Sequence, residues 1–257
     1  MNVKAKKHLG QHFLTDENIA KKIVEGLDFQ PYQYVLEVGP GTGVLTKYLL
    51  EKPTETYVAE IDTESIEYLK LHFQKLENKH FTGDFLKINL SDVFSGEVAV
   101  IGNFPYNISS QILFKIIENY QQIPEMVGMF QKEVAERTAA VPRTKDYGIL
   151  SVLVQAYYDV KYLLTVHENV FNPPPKVKSG VIKLTRNRKE GLEGNEILFK
   201  QIVKTGFGQR RKKLSNALKS LDIPEVLKSH AFMDKRAEEL SVEDFINFTK
   251  EWKAAKN

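Results

Sequence analysis

Residues 34–43 read YVLEVGPGTG. Tyr34–Val38 is a short, mostly apolar run that glycines end at once, which is the mark of a buried parallel strand feeding a turn. Gly39, Gly41 and Gly43 permit a tight turn and a close approach of main chain to a ligand. Val44, Leu45, Tyr48 and Leu49 then fall at helical spacing, so the stretch reads strand, glycine turn, helix.

The same pattern extends in both directions. Upstream, Thr15 or Asp16 can cap a helix over roughly 16–27 whose Ile19, Ile23, Val24 and Leu27 share one face. Downstream, TYVAEI (56–61) reads as a strand, SIEYLKLHF (65–73) as a helix, KHFTGD (79–84) as a strand end and EVAVIGN (97–103) as another buried strand. MVGMFQ supplies a further strand, YGILSVLVQAYY an amphipathic helix, and DVKYLLTV and SGVIKLT two late strands, a hairpin-like pair. Alternation of this kind predicts an α/β fold, a doubly wound parallel sheet with ligands in the crevice at the carboxyl ends of its strands. Past Arg186 the texture changes: NRKEGLEGNE is polar and glycine-bearing, and from its end to Trp252 the pattern is helical. The expected domains are therefore residues 1–187 and a smaller helical domain, 188–257.

The 257 residues carry a net charge of only +3, unevenly spread. Residues 183–257 hold 17 Lys and Arg against 11 Asp and Glu, a basic surface of the sort that phosphate backbones attract. Cysteine is absent, which excludes disulfides, thiolate metal sites and a cysteine nucleophile. The six His show no clustered ligand spacing, so no metal is expected. No apolar run reaches about 18 residues and the start is not a signal peptide, so no membrane is expected and the location is read as cytoplasmic.

Three strand ends carry candidate ligand groups. The third glycine of GPGTG comes too early for a dinucleotide fingerprint, and no GxxxxGK phosphate loop occurs. Glu60 ends the next strand, where a carboxylate can accept from both hydroxyls of a ribose, with Ile61 beside it. Asp84 could accept from an adenine amine while Phe85 packs on the ring. Glycines, Glu and Asp in that order suit an adenosyl group with a small charged tail, and S-adenosyl-L-methionine is the natural candidate.

Asn103-Phe104-Pro105-Tyr106 follows the apolar strand VAVIG and resembles the (N/D)PPY motif of amino methyltransferases. Adenine N6 is a poor nucleophile because its lone pair is delocalised into the ring, so catalysis must localise that pair in line with a sulfonium methyl. The Asn103 side-chain carbonyl and the Pro105 main-chain carbonyl can accept from the amine, and Tyr106 can stack on a base that has left its helix.

With GQHFL (10–14), EVGPGTGVLT (37–46), AEID (59–62), GDFL (83–86) and NFPYNISSQI (103–112) in order, the chain resembles the rRNA adenine N6,N6-dimethyltransferases. FNPPPKVKSGVIKL from Phe171 and TGFGQRRKKLSNAL from Thr205 are similar to later segments of the family and point to its KsgA type. The resemblance implies a Rossmann-like class I methyltransferase sheet with a C-terminal helical RNA-binding domain. It implies dimethylation of two adjacent adenosines in a hairpin loop near the 3′ end of small-subunit (16S) rRNA, linked to ribosome biogenesis. Separately, a monomer is expected. The resemblance also implies that His12, Leu14, Gly39, Gly41, Glu60, Ile61, Asp84, Phe85 and Asn103 contact S-adenosyl-L-methionine, and that Phe171 faces Tyr106 across the flipped adenine. His12 stands where KsgA relatives commonly carry Asn. Lys4, Lys6, Lys7, Arg210, Arg211, Lys212 and Lys213 are the expected RNA contacts, the last four radiating around a helix. Two alternatives share the same core: an Erm-type large-subunit rRNA methyltransferase, and an assembly factor whose docking matters more than its methylation.

Overall fold

The computed structural model describes residues 3–256. In chain order the elements are β1 (Phe13–Leu14), α1 (Glu17–Val24), β2 (Tyr34–Val38), α2 (Thr46–Leu49), β3 (Glu55–Ala59), α3 (Thr63–His72), α4 (Leu90–Val93), β4 (Val98–Asn103), α5 (Ser109–Glu118), β5 (Glu125–Gln131) and α6 (Lys132–Ala139). They continue with α7 (Ile149–Gln155), β6 (Tyr158–Val166), β7 (Phe171–Asn172), β8 (Ser179–Arg186), α8 (Glu196–Gly208), α9 (Leu214–Ala217) and α10 (Val242–Ala254).

Six strands form one sheet in the order β3-β2-β4-β5-β8-β6. The first four run parallel, and β8 joins β5 antiparallel with Met129 opposite Val181. The parallel strands are buried on both faces, which is why they read as continuous apolar runs instead of alternating ones. After β2 the chain crosses to β3 on one side and returns to β4 on the other. That reversal opens a crevice between the carboxyl ends of β2 and β4, the place where open α/β sheets bind ligands. Asp16 caps α1 by accepting the N–H groups of Asn18 and Ile19, which turns Ala20, Ile23 and Val24 into the core.

Two expectations need correction. KHFTGD forms no strand: Asn78–His80 is a turn of 3₁₀ helix, and Phe81 makes a single bridge to Val58, whose carbonyl accepts the Thr82 N–H at 2.9 Å. The compact units also divide differently from 1–187 and 188–257. One comprises 1–135 and 160–186, the other 136–159 and 187–257. The helix read from YGILSVLVQAYY therefore belongs to the second unit. There α7 packs on α8, and the Tyr147 hydroxyl donates to the Leu240 carbonyl at 2.9 Å. No described helix is long and apolar enough to cross a membrane.

Candidate active site

The crevice is a cavity within the first unit, lined by residues of the turns after β2, β3 and β4 and by the segment Leu9–Phe13. Gly39 has φ +69, and a Cβ built on it would meet nothing nearer than the Asn103 carbonyl at 4.0 Å. A side chain there would stand in the open space of the cavity, so glycine keeps the floor clear for a ligand. At Gly41 the constraint is packing: a Cβ would lie 2.7 Å from the Phe13 ring.

Glu60 is buried at the end of β3. One carboxylate oxygen accepts the Gly41 N–H at 3.2 Å, and the other accepts those of Ile61 and Asp62 at 2.9 Å. Burial raises its pKa above the ordinary carboxylate range, while the three N–H groups oppose that rise. The carboxylate is thereby fixed, and the oxygen facing Gly41 keeps a lone pair for a hydroxyl donor. Asp84 and Phe85 line the same cavity, and the Asp84 side chain accepts the Leu86 N–H at 3.0 Å.

Asn103 ends β4. Its side-chain nitrogen donates to the His12 carbonyl at 2.8 Å. A carbonyl can only accept, so this contact fixes which end of the amide is which and leaves Oδ1 as the free acceptor. The Pro105 carbonyl accepts the Ile108 N–H at 3.3 Å and lies 3.5 Å from the Ser109 hydroxyl, whose one proton has a nearer acceptor in the Tyr106 carbonyl at 3.0 Å, so a substrate amine would take its second lone pair. The Phe104 carbonyl accepts from no described residue. Phe104 itself is buried, and its ring fills space that Gly128 and Gly102 leave: a Cβ would meet it at 2.1 Å and 2.9 Å respectively. The Tyr106 hydroxyl and the Ser179 hydroxyl are 2.5 Å apart, which sets the tyrosine ring, and the His12 ring lies tilted beside it with centroids 5.5 Å apart. The His12 Nδ1 donates to the Pro173 carbonyl at 2.8 Å.

The cavity thus brings together His12, Gly39, Gly41, Glu60, Ile61, Asp84, Phe85, Asn103, Pro105 and Tyr106. It does not bring in Phe171, and Leu14 lines only an adjoining pocket, with Gly39 and Asn103. Leu14 and Phe171 are partners in the β1–β7 ladder, and Phe13 faces Asn172. Side chains alternate along a strand, so Leu14 and Phe171 point into the core while Phe13 turns to the cavity. Gln11 and Asp62 lie within GQHFL and AEID, and the sequence assigns neither a role. Asp62 accepts from Gln11 at 3.2 Å and from Lys6, and the latter also pairs with Glu64 at 3.3 Å. Lys6 is therefore tied to the cavity rim, whereas Lys4 and Lys7 are exposed. Glu37, equally unmarked, is fully buried beneath the glycine turn and accepts the Thr46 hydroxyl at 2.5 Å; burial lifts its pKa to about 8. No group of three or more His, Asp or Glu able to hold a metal occurs among the described residues.

The sequence pattern of ribosomal RNA adenine dimethylases matches residues 2–254. The chain belongs to the ribosomal RNA adenine dimethylase family. Within this dimethylase family it is 58% identical over 253 residues to ribosomal RNA small subunit methyltransferase A of Flavobacterium johnsoniae, covering 98% of this chain and 97% of that protein. It is 57% identical to the protein of the same name from Cytophaga hutchinsonii, covering 96% of each. Among solved dimethylase-like structures, a dimethyladenosine transferase from Plasmodium falciparum superposes with a TM-score of 0.83 at 26% identity, over 95% of this chain and 98% of that one. The 23S rRNA methyltransferase ErmE superposes with a TM-score of 0.69 at 25% identity, over 94% and 99%. The α/β fold expected from the alternation of strand and helix, and its Rossmann-like class I form implied by the resemblance, is thus the fold of this dimethylase.

Proposed function

We propose that this dimethylase transfers methyl groups from S-adenosyl-L-methionine to N6 of two adjacent adenosines in the 3′-terminal hairpin loop of 16S rRNA, on the small ribosomal subunit in the cytoplasm. One observation carries the chemistry: the Asn103 amide is held by the His12 carbonyl so that only its oxygen is left to accept. That oxygen takes one amine hydrogen and one main-chain carbonyl of the turn, Phe104 or Pro105, takes the other, which localises the N6 lone pair. The acceptors stabilise positive charge as it develops, with no strong base involved. Tyr106, fixed through Ser179, offers a stacking face for a base out of its helix.

The cavity fits the cofactor on its donor set: Glu60 for the ribose hydroxyls, Asp84 and Phe85 for the adenine, and the floor kept open by Gly39. S-adenosyl-L-methionine supplies an electrophilic methyl. This chain's residues bind it, orient the amine and exclude water. The second aromatic wall falls to Phe13 or His12 beside Tyr106, since Phe171 is in the core. A small-subunit target is favoured over the Erm type because the small-subunit relatives are 57–58% identical and ErmE 25%.

The test is Asn103→Ala, assayed on small subunits from cells lacking the gene. Methyl transfer should fall roughly 100- to 1,000-fold, the loss typical of one oriented polar group. Mass spectrometry of the rRNA names the product. Unchanged transfer, or methylation of large-subunit rRNA only, would refute the assignment.

A further inference from the structure

The basic run Arg210–Lys213 does not lie on a helix. α8 ends at Gly208, and the four residues cross a bend before α9 begins at Leu214. Their side chains consequently do different things. Arg210 is engaged by its own protein: its Nε pairs with Glu238 at 2.5 Å, while its two terminal nitrogens donate to the carbonyls of Lys145 at 2.8 Å and Thr144 at 3.0 Å. Lys213 pairs with Asp234 at 2.9 Å. Arg211 and Lys212 are exposed, and no ion pair engages either among the described residues.

Arg210 therefore grips a loop that no sequence motif marks. The loop is fastened a second time, because the Arg143 N–H donates to the Glu238 carbonyl at 2.8 Å. Arg143 itself sits at φ +68, a left-handed conformation that a non-glycine residue adopts only when its surroundings impose it. Glu238 thus serves both ends of the grip, its carboxylate on Arg210 and its carbonyl on Arg143. The result is that Arg143 and Lys145 stand exposed on the loop held by Arg210, whose chain neighbours Arg211 and Lys212 are exposed too: four unpaired cations, with Asp146 as the one unpaired carboxylate of the loop.

We infer that the 143–146 loop is a phosphate-binding platform for the RNA substrate, and that Arg210 is a positioning residue that shapes it, not an RNA contact. The inference rests on the proposed RNA substrate. It reassigns part of the expected contact set: Arg143 and Lys145 join Arg211 and Lys212, while Arg210 and Lys213 leave it. The guanidinium fork is needed because it reaches two carbonyls and a carboxylate at once, which a lysine ammonium on a flexible stem does not reproduce. The grip explains why a loop with no apolar anchor of its own between Arg143 and Asp146 can hold two cations in place.

The experiment measures affinity for under-methylated small subunits across a salt series, with melting temperature monitored. The paired variant Arg143→Ala with Lys145→Ala alters exposed side chains only and should fold as the parent does. It should lower the slope of log affinity against log salt by roughly 1.5, since each phosphate contact contributes about 0.7–0.9. Arg210→Lys, which keeps the charge, should show a similar loss, and combining it with the pair should add little. The inference is overturned if the alanine pair leaves affinity and slope unchanged. It is equally overturned if affinity drops with no change in slope, which would assign the loop to a protein of the subunit, or if the Arg210→Lys loss adds in full to that of the pair. A parent protein that neither binds nor methylates small subunits would sink the proposed function itself.

Discussion

At the scale of the residue, the site is governed by which groups are already engaged. Asn103 becomes a directed acceptor because His12 offers it a carbonyl, and the identity of the residue 12 side chain matters less than its main chain. The His12 ring turns to Pro173 and leaves the Asn103 contact untouched. Glu37 shows the opposite situation, a carboxyl that burial keeps from ionising. With a folded pKa of about 8 against an ordinary 4.5, Glu37 is protonated in the folded protein over a range where the unfolded chain has released the proton. Stability should therefore fall as pH rises from about 4.5 to about 8, by at most about 1.4 kcal/mol per pH unit from this group. Urea unfolding of Glu37→Gln at pH 5 and pH 8 checks it: the variant should lack that portion of the slope and gain on the parent at the higher pH. Parallel curves would mean that the carboxyl ionises in place.

Elements explain both what the sequence revealed and what it hid. The glycine turn, Glu60, Asp84 and Asn103 were legible because each ends a parallel strand whose apolar run is unmistakable, or sits at a turn beside one, and topology then gathers these positions into one crevice. Phe171 lies in the core, not opposite Tyr106, because its fate depends on register: pairing with Leu14 commits it to the buried side of a two-residue strand, and no motif encodes that parity. Phe171→Ala should accordingly cost about 3–5 kcal/mol of stability as a large core truncation, seen as a fall in the urea midpoint. Donor affinity of the variant that remains folded should be preserved. The glycines of β4 and β5 were equally silent. Gly128 lies under the Phe104 ring, so Gly128→Ala should overpack the sheet by about 1–3 kcal/mol and displace the NFPY turn. Methyl transfer should then fall by more than the population of folded protein does, and calorimetry beside an activity assay would separate the two effects.

For the molecule as a whole, charge had to be read after pairing. The basic run and the N-terminal arm looked uniform in sequence, yet Lys6, Arg210 and Lys213 are tied to Asp62, Glu238 and Asp234. No periodicity or composition rule distinguishes a lysine that meets solvent from one that meets a carboxylate 56 residues away. It follows that Lys4→Ala with Lys7→Ala should reduce the salt dependence of small-subunit binding, and that Lys6→Ala should chiefly weaken donor binding in an isothermal titration. The Lys6–Asp62 tie has a kinetic corollary. A segment that forms one wall of the cofactor chamber is fastened by a charge pair, and each spent cofactor must leave before the next methyl is delivered. Ionic strength then acts in two directions, loosening the latch and speeding turnover of the small molecule while it weakens the grip on the large one, so the reaction should run fastest at an intermediate salt concentration.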